Sequence, residues 1–158
     1  MLATEMPVLM LRPLTRSAAA ELHNLLQQNR GHLTAHGDYA DQVAMSRDQV
    51  EVELAADSAN LRFGIVLSGT LIGRIDLIAA DPPKYGLGYW LAKNATGLGY
   101  ATAALRALIG HAGTELHATD IYAGVTRGNA RSEALLERLG FLPVLDFDSY
   151  RRFHLGLR

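Results

Sequence analysis

Nine consecutive residues, Asn94-Ala95-Thr96-Gly97-Leu98-Gly99-Tyr100-Ala101-Thr102, have the types and spacing to hold an anion. Glycines two apart let the backbone turn tightly and approach a ligand with no Cβ in the way. A helical repeat follows them, so the turn would aim unpaired N–H groups and the positive end of a helix dipole at whatever binds there. A pyrophosphate suits that arrangement, and so does a tight strand-to-helix turn with no ligand; this stretch alone carries both readings. A Rossmann site needs a third glycine where Thr102 stands, and a place in the first strand–helix–strand unit, whereas this turn follows several strands. A P-loop needs Gly-Lys-Ser/Thr, and here Tyr100 follows Gly99.

A second candidate is Asn129-Ala130-Arg131-Ser132, which opens a later helix ending in Leu139-Gly140-Phe141. An Asn side chain both donates and accepts, which suits the amides of an extended ligand arm; it also serves as a plain helix N-cap. Of the six histidines only His32 and His36 stand four apart, and they do so in a stretch without helical periodicity, so no metal site is expected. With no cysteine there is no disulfide, thiolate nucleophile or thiolate metal ligand.

The elements that must position these residues follow from periodicity and turn chemistry. Val8 to Arg12 alternates as a strand and stops at Pro13, after which Thr15 starts a helix running to about Arg30 with Ala18, Leu22, Leu25 and Leu26 on one face. Gly31 to Ala44 has no periodicity and reads as a long loop, of the kind that often carries function. Ser46, with Gln49 three residues on, forms a capping box for a helix to about Asp57. Leu61 to Leu67, Leu71 to Ala79 and Tyr85 to Ala92 read as three strands, mostly antiparallel, divided by Ser68-Gly69 and Pro82-Pro83. From Leu98 to near Gly113 the period becomes helical, with Ala101, Ala104, Leu105, Leu108, Ile109 and Ala112 on one face. Asp120 to Val125 reads as a strand, Asn129 to Leu139 as a helix closed by Gly140, and Pro143 to Leu157 as a final strand pair.

The whole chain, 1–158, reads as a single domain of α/β (α+β) class, with a core large enough to need neither metal nor disulfide. A net charge of −1 with no Lys/Arg run speaks against nucleic acid as a partner. Met1 to Leu14 lacks the layout of a signal peptide, and no window approaches the ~20 apolar residues of a membrane span. The expectation is a cytoplasmic protein with no membrane partner. Whether it forms a homodimer is left open by the sequence.

Taken together, these motifs resemble the GNAT acyl-CoA N-acyltransferases. The loop Gln/Arg-x-x-Gly-x-Gly/Ala of that family corresponds to Asn94 through Gly99, with Asn94 a departure and Gly97 and Gly99 matching. Asn129 to Ser132 with Gly140-Phe141 resembles its Asn-x-x-Ser/Ala helix and Gly-Phe exit. The RimJ/RimL type is closer still: Asn29-Arg30-Gly31-His32-Leu33 is similar to its early Asn-Arg-x-x-Leu turn, and Gly88-Tyr89-Trp90-Leu91 and Gly99-Tyr100-Ala101-Thr102 to its Gly-Tyr-Trp-Leu and Gly-x-Ala-Thr. The resemblance covers nearly the whole chain. Departures lie at His36 (usually Trp), at Gly86 (often Glu) and in a shortened loop between Phe141 and Tyr150, all on the acceptor side.

This resemblance implies a largely antiparallel mixed sheet whose strand Tyr85 to Ala92 splays from the next parallel strand. It implies acetyl-CoA as co-substrate, with its pyrophosphate on Thr96, Gly97, Leu98, Gly99, Tyr100 and Ala101, its pantetheine arm against Tyr89, Trp90 and Leu91, and Asn129 on the arm's amides. A backbone N–H of the splayed strand would stabilise the oxyanion formed when an amine attacks the thioester. Many GNATs place a Tyr seven residues after the helix Asn as proton donor to the thiolate; Leu136 stands there, and Ser132 takes that role by its match to the RimL-type Ser. With Gly86 at the Glu position, the base candidates are Asp76, Asp146 and Asp148, which would also attract a cationic amine. Three functions follow: acetylation of a protein or peptide N-terminal amine, acetylation of a small amine, and an acyl-CoA-binding regulatory domain of little activity.

Overall fold

The hairpin at Ser68-Gly69 sets the register of the sheet. Ser68 and Gly69 both have positive φ, 49° and 86°, which is the two-residue turn whose twist matches that of paired strands. It joins β3 (Leu61–Leu67) to β4 (Thr70–Asp81), and β5 (Lys84–Leu91) folds back antiparallel on β4. Before them stand β1 (Leu2–Ala3) and β2 (Leu9–Pro13); after them come β6 (Asp120–Thr126), β7 (Leu142–Asp146) and β8 (Tyr150–Gly156). The computed structural model describes residues 1–157, so Arg158, the last residue of the expected domain, lies outside them. One eight-stranded sheet results, in the order β1-β2-β3-β4-β5-β6-β8-β7, antiparallel except for β5 and β6.

Helices cover both faces because the strands between them are apolar on both sides. On one face α5 (Tyr100–Thr114) buries Ala104, Leu105, Leu108 and Ala112 completely, and α6 (Ala130–Arg138) buries Leu136 beside Phe141 and Phe153. On the other, α1 (Ala19–Gln28) and α4 (Arg47–Ala55) bury Leu22, Leu26, Val50 and Leu54 around Trp90. β5 thus alternates, with Tyr85 and Leu87 toward α5 and Trp90 toward α1. The end of α6 is fixed by Gly140 at φ 94°: its N–H donates to the Glu137 carbonyl at 3.0 Å, and that of Phe141 to Leu136 at 3.0 Å, the Schellman pattern.

Three details differ from the sequence reading. Thr15 makes no side-chain cap; a short 3-10 turn (Arg16–Ala18) precedes α1, and Thr15 shares a hydrogen bond with Ser17 instead. The segment read as a loop holds two short helices, α2 (Arg30–Leu33) and α3 (Ala40–Ala44), each too short to show a period. β1 is two residues long, below what alternation can reveal. The capping box at Ser46 forms as read, with Gln49 N donating to Ser46 Oγ at 3.1 Å and Ser46 N to Gln49 Oε1 at 2.7 Å.

Candidate active site

β5 and β6 run side by side only from Lys84↔Asp120 to Leu87↔Ala123. Beyond that point β6 stays with β8 as far as Thr126↔Tyr150, while β5 stays with β4 as far as Leu91↔Gly73. The two parallel strands therefore part, and the peptide groups of Tyr89 and Leu91, which point away from β4, face the gap. A cleft of about 520 Å³ fills it, within the range of small-molecule sites. A smaller cavity of about 180 Å³, between Leu87–Tyr89 and Ala123–Thr126, continues it deeper into the fork.

The glycine turn forms one end of the cleft. Gly97 and Gly99 have φ of 76° and 86°, a left-handed conformation that glycine adopts without strain, and a Cβ on Gly97 would meet nothing within 4 Å. α5 starts with no side-chain cap and no acidic residue in its first turn, and its first internal bond is Ala103 N to Gly99 O at 3.1 Å. The N–H groups of Tyr100, Ala101 and Thr102, all cleft residues, are thus left for a ligand. Arg131 and Arg138 also line the cleft, and neither has a carboxylate partner among the described residues. Helix donors and the open space over Gly97 suit this end of the cleft to an anion, and two guanidinium groups without carboxylate partners line the same cleft.

Where the strands part, Tyr89 Oη and Ser132 Oγ share a hydrogen bond of 3.0 Å. Burial raises the Tyr89 phenol above its ordinary range, against the opposing effect of the Ser132 bond, so the pair is neutral and holds protons at physiological pH. The Tyr39 hydroxyl donates to the Tyr89 carbonyl, and His32 Nε2 donates to the Leu91 carbonyl at 3.2 Å, which fixes the Nε2–H tautomer. Both come from the segment between α1 and α4. That segment is braced by the Asn29-Arg30 pair: Lys93 N donates to Asn29 Oδ1 at 2.9 Å, and the Arg30 guanidinium to the Val43 carbonyl at 2.8 Å.

Residues 9–142 match the family of acetyltransferase (GNAT) domains. This chain belongs to the GNAT acetyltransferase family. The curated relative “Putative ribosomal N-acetyltransferase YdaF” of Bacillus subtilis (strain 168) is 39% identical over 89 residues, 55% of this chain and 49% of the relative. The aligned part thus spans about half the length of that protein. Among solved structures, RimL, the ribosomal L7/L12 alpha-N-protein acetyltransferase in complex with coenzyme A, superposes with a TM-score of 0.87 at 18% identity, over 96% of each chain. The microcin C7 self immunity acetyltransferase MccE, in complex with acetyl-CoA and AMP, gives 0.82 at 18% identity, over 96% of this chain and 94% of the other. These two likenesses are ones of fold, and the fold is that of a GNAT domain.

Against this GNAT frame the candidate residues fall into three groups. Tyr89, Leu91, Thr96, Gly97, Gly99, Tyr100, Ala101, Asn129 and Ser132 all line the cleft. Asn129 Oδ1 caps α6 by accepting from Ser132 N at 3.3 Å, and its NH₂, which has no partner among the described residues, is left for a ligand. Ser132 directs its hydroxyl to Tyr89 rather than to its own helix turn. Trp90 borders the cleft, but its indole is buried on the α1/α4 face, where Nε1 donates to Gln42 at 3.0 Å, so it serves as scaffold. The Leu98 side chain is exposed and outside the cleft; this position contributes only turn backbone.

The three acids stand away from both cavities. Asp146 and Asp148 belong to the β7–β8 hairpin, and β7 lies three strands from β5, so neither reaches the cleft. Asp146 instead pairs with Arg151 at 2.6 Å and Arg127 at 3.8 Å. Asp76 sits opposite Gly88 on β4 and is bound to Arg74 Nε at 3.0 Å; that guanidinium, almost wholly buried, also forks onto Glu53 at 2.9 and 3.0 Å. Burial raises the Asp76 carboxyl, Arg74 opposes this, and the group lines neither cavity. The acid the sequence reading passed over is Asp38, which lines both cavities and accepts a hydrogen bond from the Thr126 hydroxyl. Its signal was available: a carboxylate in the one long segment without periodicity.

Proposed function

We propose that this chain transfers the acetyl group of acetyl-CoA to a primary amine by direct attack in a ternary complex, the amine being that of a protein or peptide N-terminus. The observation that carries the reading is the fork between two parallel strands that opens onto the free N–H groups of α5. The N–H groups of Tyr100 to Thr102 take the pyrophosphate, Arg131 and Arg138 neutralise its charge, and the Asn129 NH₂ meets an amide of the arm. Acetyl-CoA supplies an activated thioester, whose carbonyl is placed between the β5 peptide groups and the Tyr89–Ser132 pair. The amine attacks after giving its extra proton to water, and a β5 N–H stabilises the developing oxyanion. Ser132, its hydroxyl held in line by Tyr89, gives a proton to the departing thiolate and is restored by the proton the nitrogen sheds on forming the amide.

The choice of a protein N-terminus is supported by the names of the relatives, YdaF and RimL, and by the Asn29-Arg30 and Gly88-to-Leu91 motifs. The test is release of free CoA thiol from acetyl-CoA with a panel of peptides beginning with Ser, Ala or Met, alongside spermidine and free amino acids. Turnover that is at least tenfold faster with one peptide class than with the small amines is the expected result. Preference for a small amine would keep the transferase and change the acceptor; binding of acetyl-CoA with no turnover on any amine would make the chain an acyl-CoA-binding domain.

A further inference from the structure

We propose that Asp38, positioned by Thr126, is the carboxylate that receives the cationic amine of the acceptor. This inference rests on the transferase reading and names the acceptor side of that same site. It begins with how charge is sorted along the fork. The larger cleft is lined by Arg131, Arg138, His32 and His36 as well as by Asp38, whereas on the walls of the smaller cavity Asp38 is the one charged residue. Asp38 is the one carboxylate lining either of them. An anionic co-substrate and a cationic acceptor entering one fork would each meet the complementary end.

The local geometry fits an ammonium group. One Asp38 oxygen accepts from the Thr126 hydroxyl on β6, and the other has no hydrogen-bond partner among the described residues. Next to it Tyr39, held in a left-handed conformation at φ 58°, donates to the Tyr89 carbonyl on β5. Asp38 is thereby tied to both parted strands, beside the Tyr89–Ser132 pair that also lines the smaller cavity. Gly88 forms another wall, and a Cβ there would meet nothing within 4 Å. A volume of about 180 Å³ admits the end of a chain, an amine with one small side chain.

The experiment uses the full chain saturated with CoA, and two probes: a pentapeptide beginning with Ser, with its Nα-acetylated form as control, and spermidine. Amine affinity is measured by calorimetry, so that no chemistry is required, and kcat/KM by thiol release. Asp38→Asn keeps the shape and the acceptor for Thr126 but removes the charge; it is expected to lower amine affinity and kcat/KM about 10- to 100-fold, as the loss of a charged hydrogen bond does. The change falls on KM, acetyl-CoA affinity stays within twofold, and the decline of kcat/KM with salt seen in the parent flattens. Thr126→Val raises the KM for the amine less, while Asp38→Glu restores part of the salt dependence, which a purely structural role would not do. Equal amine affinity and equal salt dependence in Asp38→Asn and parent would remove Asp38 from the site and leave the acetyl-CoA assignment standing. Loss of acetyl-CoA binding together with amine binding in Asp38→Asn would make it a structural residue, and also overturns the inference. So does a parent chain that binds neither amine. Acetyl-CoA affinity of the parent, measured separately, tests the transferase reading by itself.

Discussion

Replacing Gly97 by Asp, with Gly97→Ala as the reference, isolates the charge at the proposed phosphate site. Both variants place a side chain on a residue at φ 76°, which costs each about 1–2 kcal/mol of backbone strain and lowers Tm by roughly 2–4 °C per kcal/mol in a domain of this size. Neither meets a steric obstacle in the free protein, because a Cβ at Gly97 has nothing within 4 Å. The Asp carboxylate gains up to about 1 kcal/mol from the α5 dipole, so Gly97→Asp should be no less stable than Gly97→Ala. Binding should separate them. A carboxylate ~6 Å from a phosphate charge is repelled by about 0.7 kcal/mol in bulk water and about 2.8 at an effective dielectric of 20. Two phosphate charges and intermediate screening give ~2–3 kcal/mol, a weakening of roughly 30- to 150-fold in acetyl-CoA affinity. Calorimetry of both variants at two salt concentrations is the measurement, and the gap between them should narrow as salt rises. If Asp and Ala variants bind acetyl-CoA with equal affinity, the turn does not hold the phosphates, and the anion site must be sought elsewhere along the cleft.

Two further outcomes are expected. Ser132→Ala should lower kcat about 10²-fold with acetyl-CoA affinity unchanged, since the role proposed for the hydroxyl is on the leaving thiolate and not in ground-state binding; equal single-turnover rates would reduce Ser132 to a partner for Tyr89. Burial holds the Tyr39 and Tyr89 phenols above the ordinary value of about 10, so their contribution to stability is full below that pH and is lost as pH rises through the higher folded values. Spectrophotometric titration should show a late-ionising fraction that shrinks in each of Tyr39→Phe and Tyr89→Phe, and an unchanged curve in both would contradict the buried placement.

The parts of the fold that were legible in the sequence are those where a local rule and the tertiary packing agree. α5 was legible because Ala104, Leu105, Leu108 and Ala112 repeat on the face that is in fact buried, and the turn before it because two glycines there have no other local use. The places of Asp76, Asp146 and Asp148 were not legible, because a carboxylate has no period and its surroundings depend on which strand is neighbour to which. Asp146 and Asp148 are close in sequence to the last strand, but β8 inserts between β6 and β7 and moves their hairpin to the sheet edge. The motif puts Trp90 at the cleft, which it lines, while strand alternation turns its ring to the opposite face from Tyr89. α2 and α3 escaped because four or five residues carry too few repeats to stand out.

The segment from His32 to Tyr39 gives the proposed site a physical link between its two substrates. An extended ligand that pairs with the parted edge of β5 meets the carbonyls of Tyr89 and Leu91, and these already accept from Tyr39 and His32. A carbonyl oxygen has two lone pairs, so a second donor can be added without breaking the first bond. The arm of acetyl-CoA would then share each carbonyl with the same segment that carries Asp38. Ordering of that segment favours the arm's placement, and the arm's placement favours the position of Asp38, a coupling that must be reciprocal in binding free energy. Tyr39→Phe removes the shared bond and keeps the ring. It should weaken the mutual effect, so that peptide affinity in the parent rises when CoA is bound, and in Tyr39→Phe rises less. Calorimetric titration of the peptide with and without CoA reads this directly. If the ratio of the two affinities is the same in parent and variant, the Tyr39 bond to Tyr89 does not link the acceptor side to the co-substrate side, and the two halves of the fork act independently.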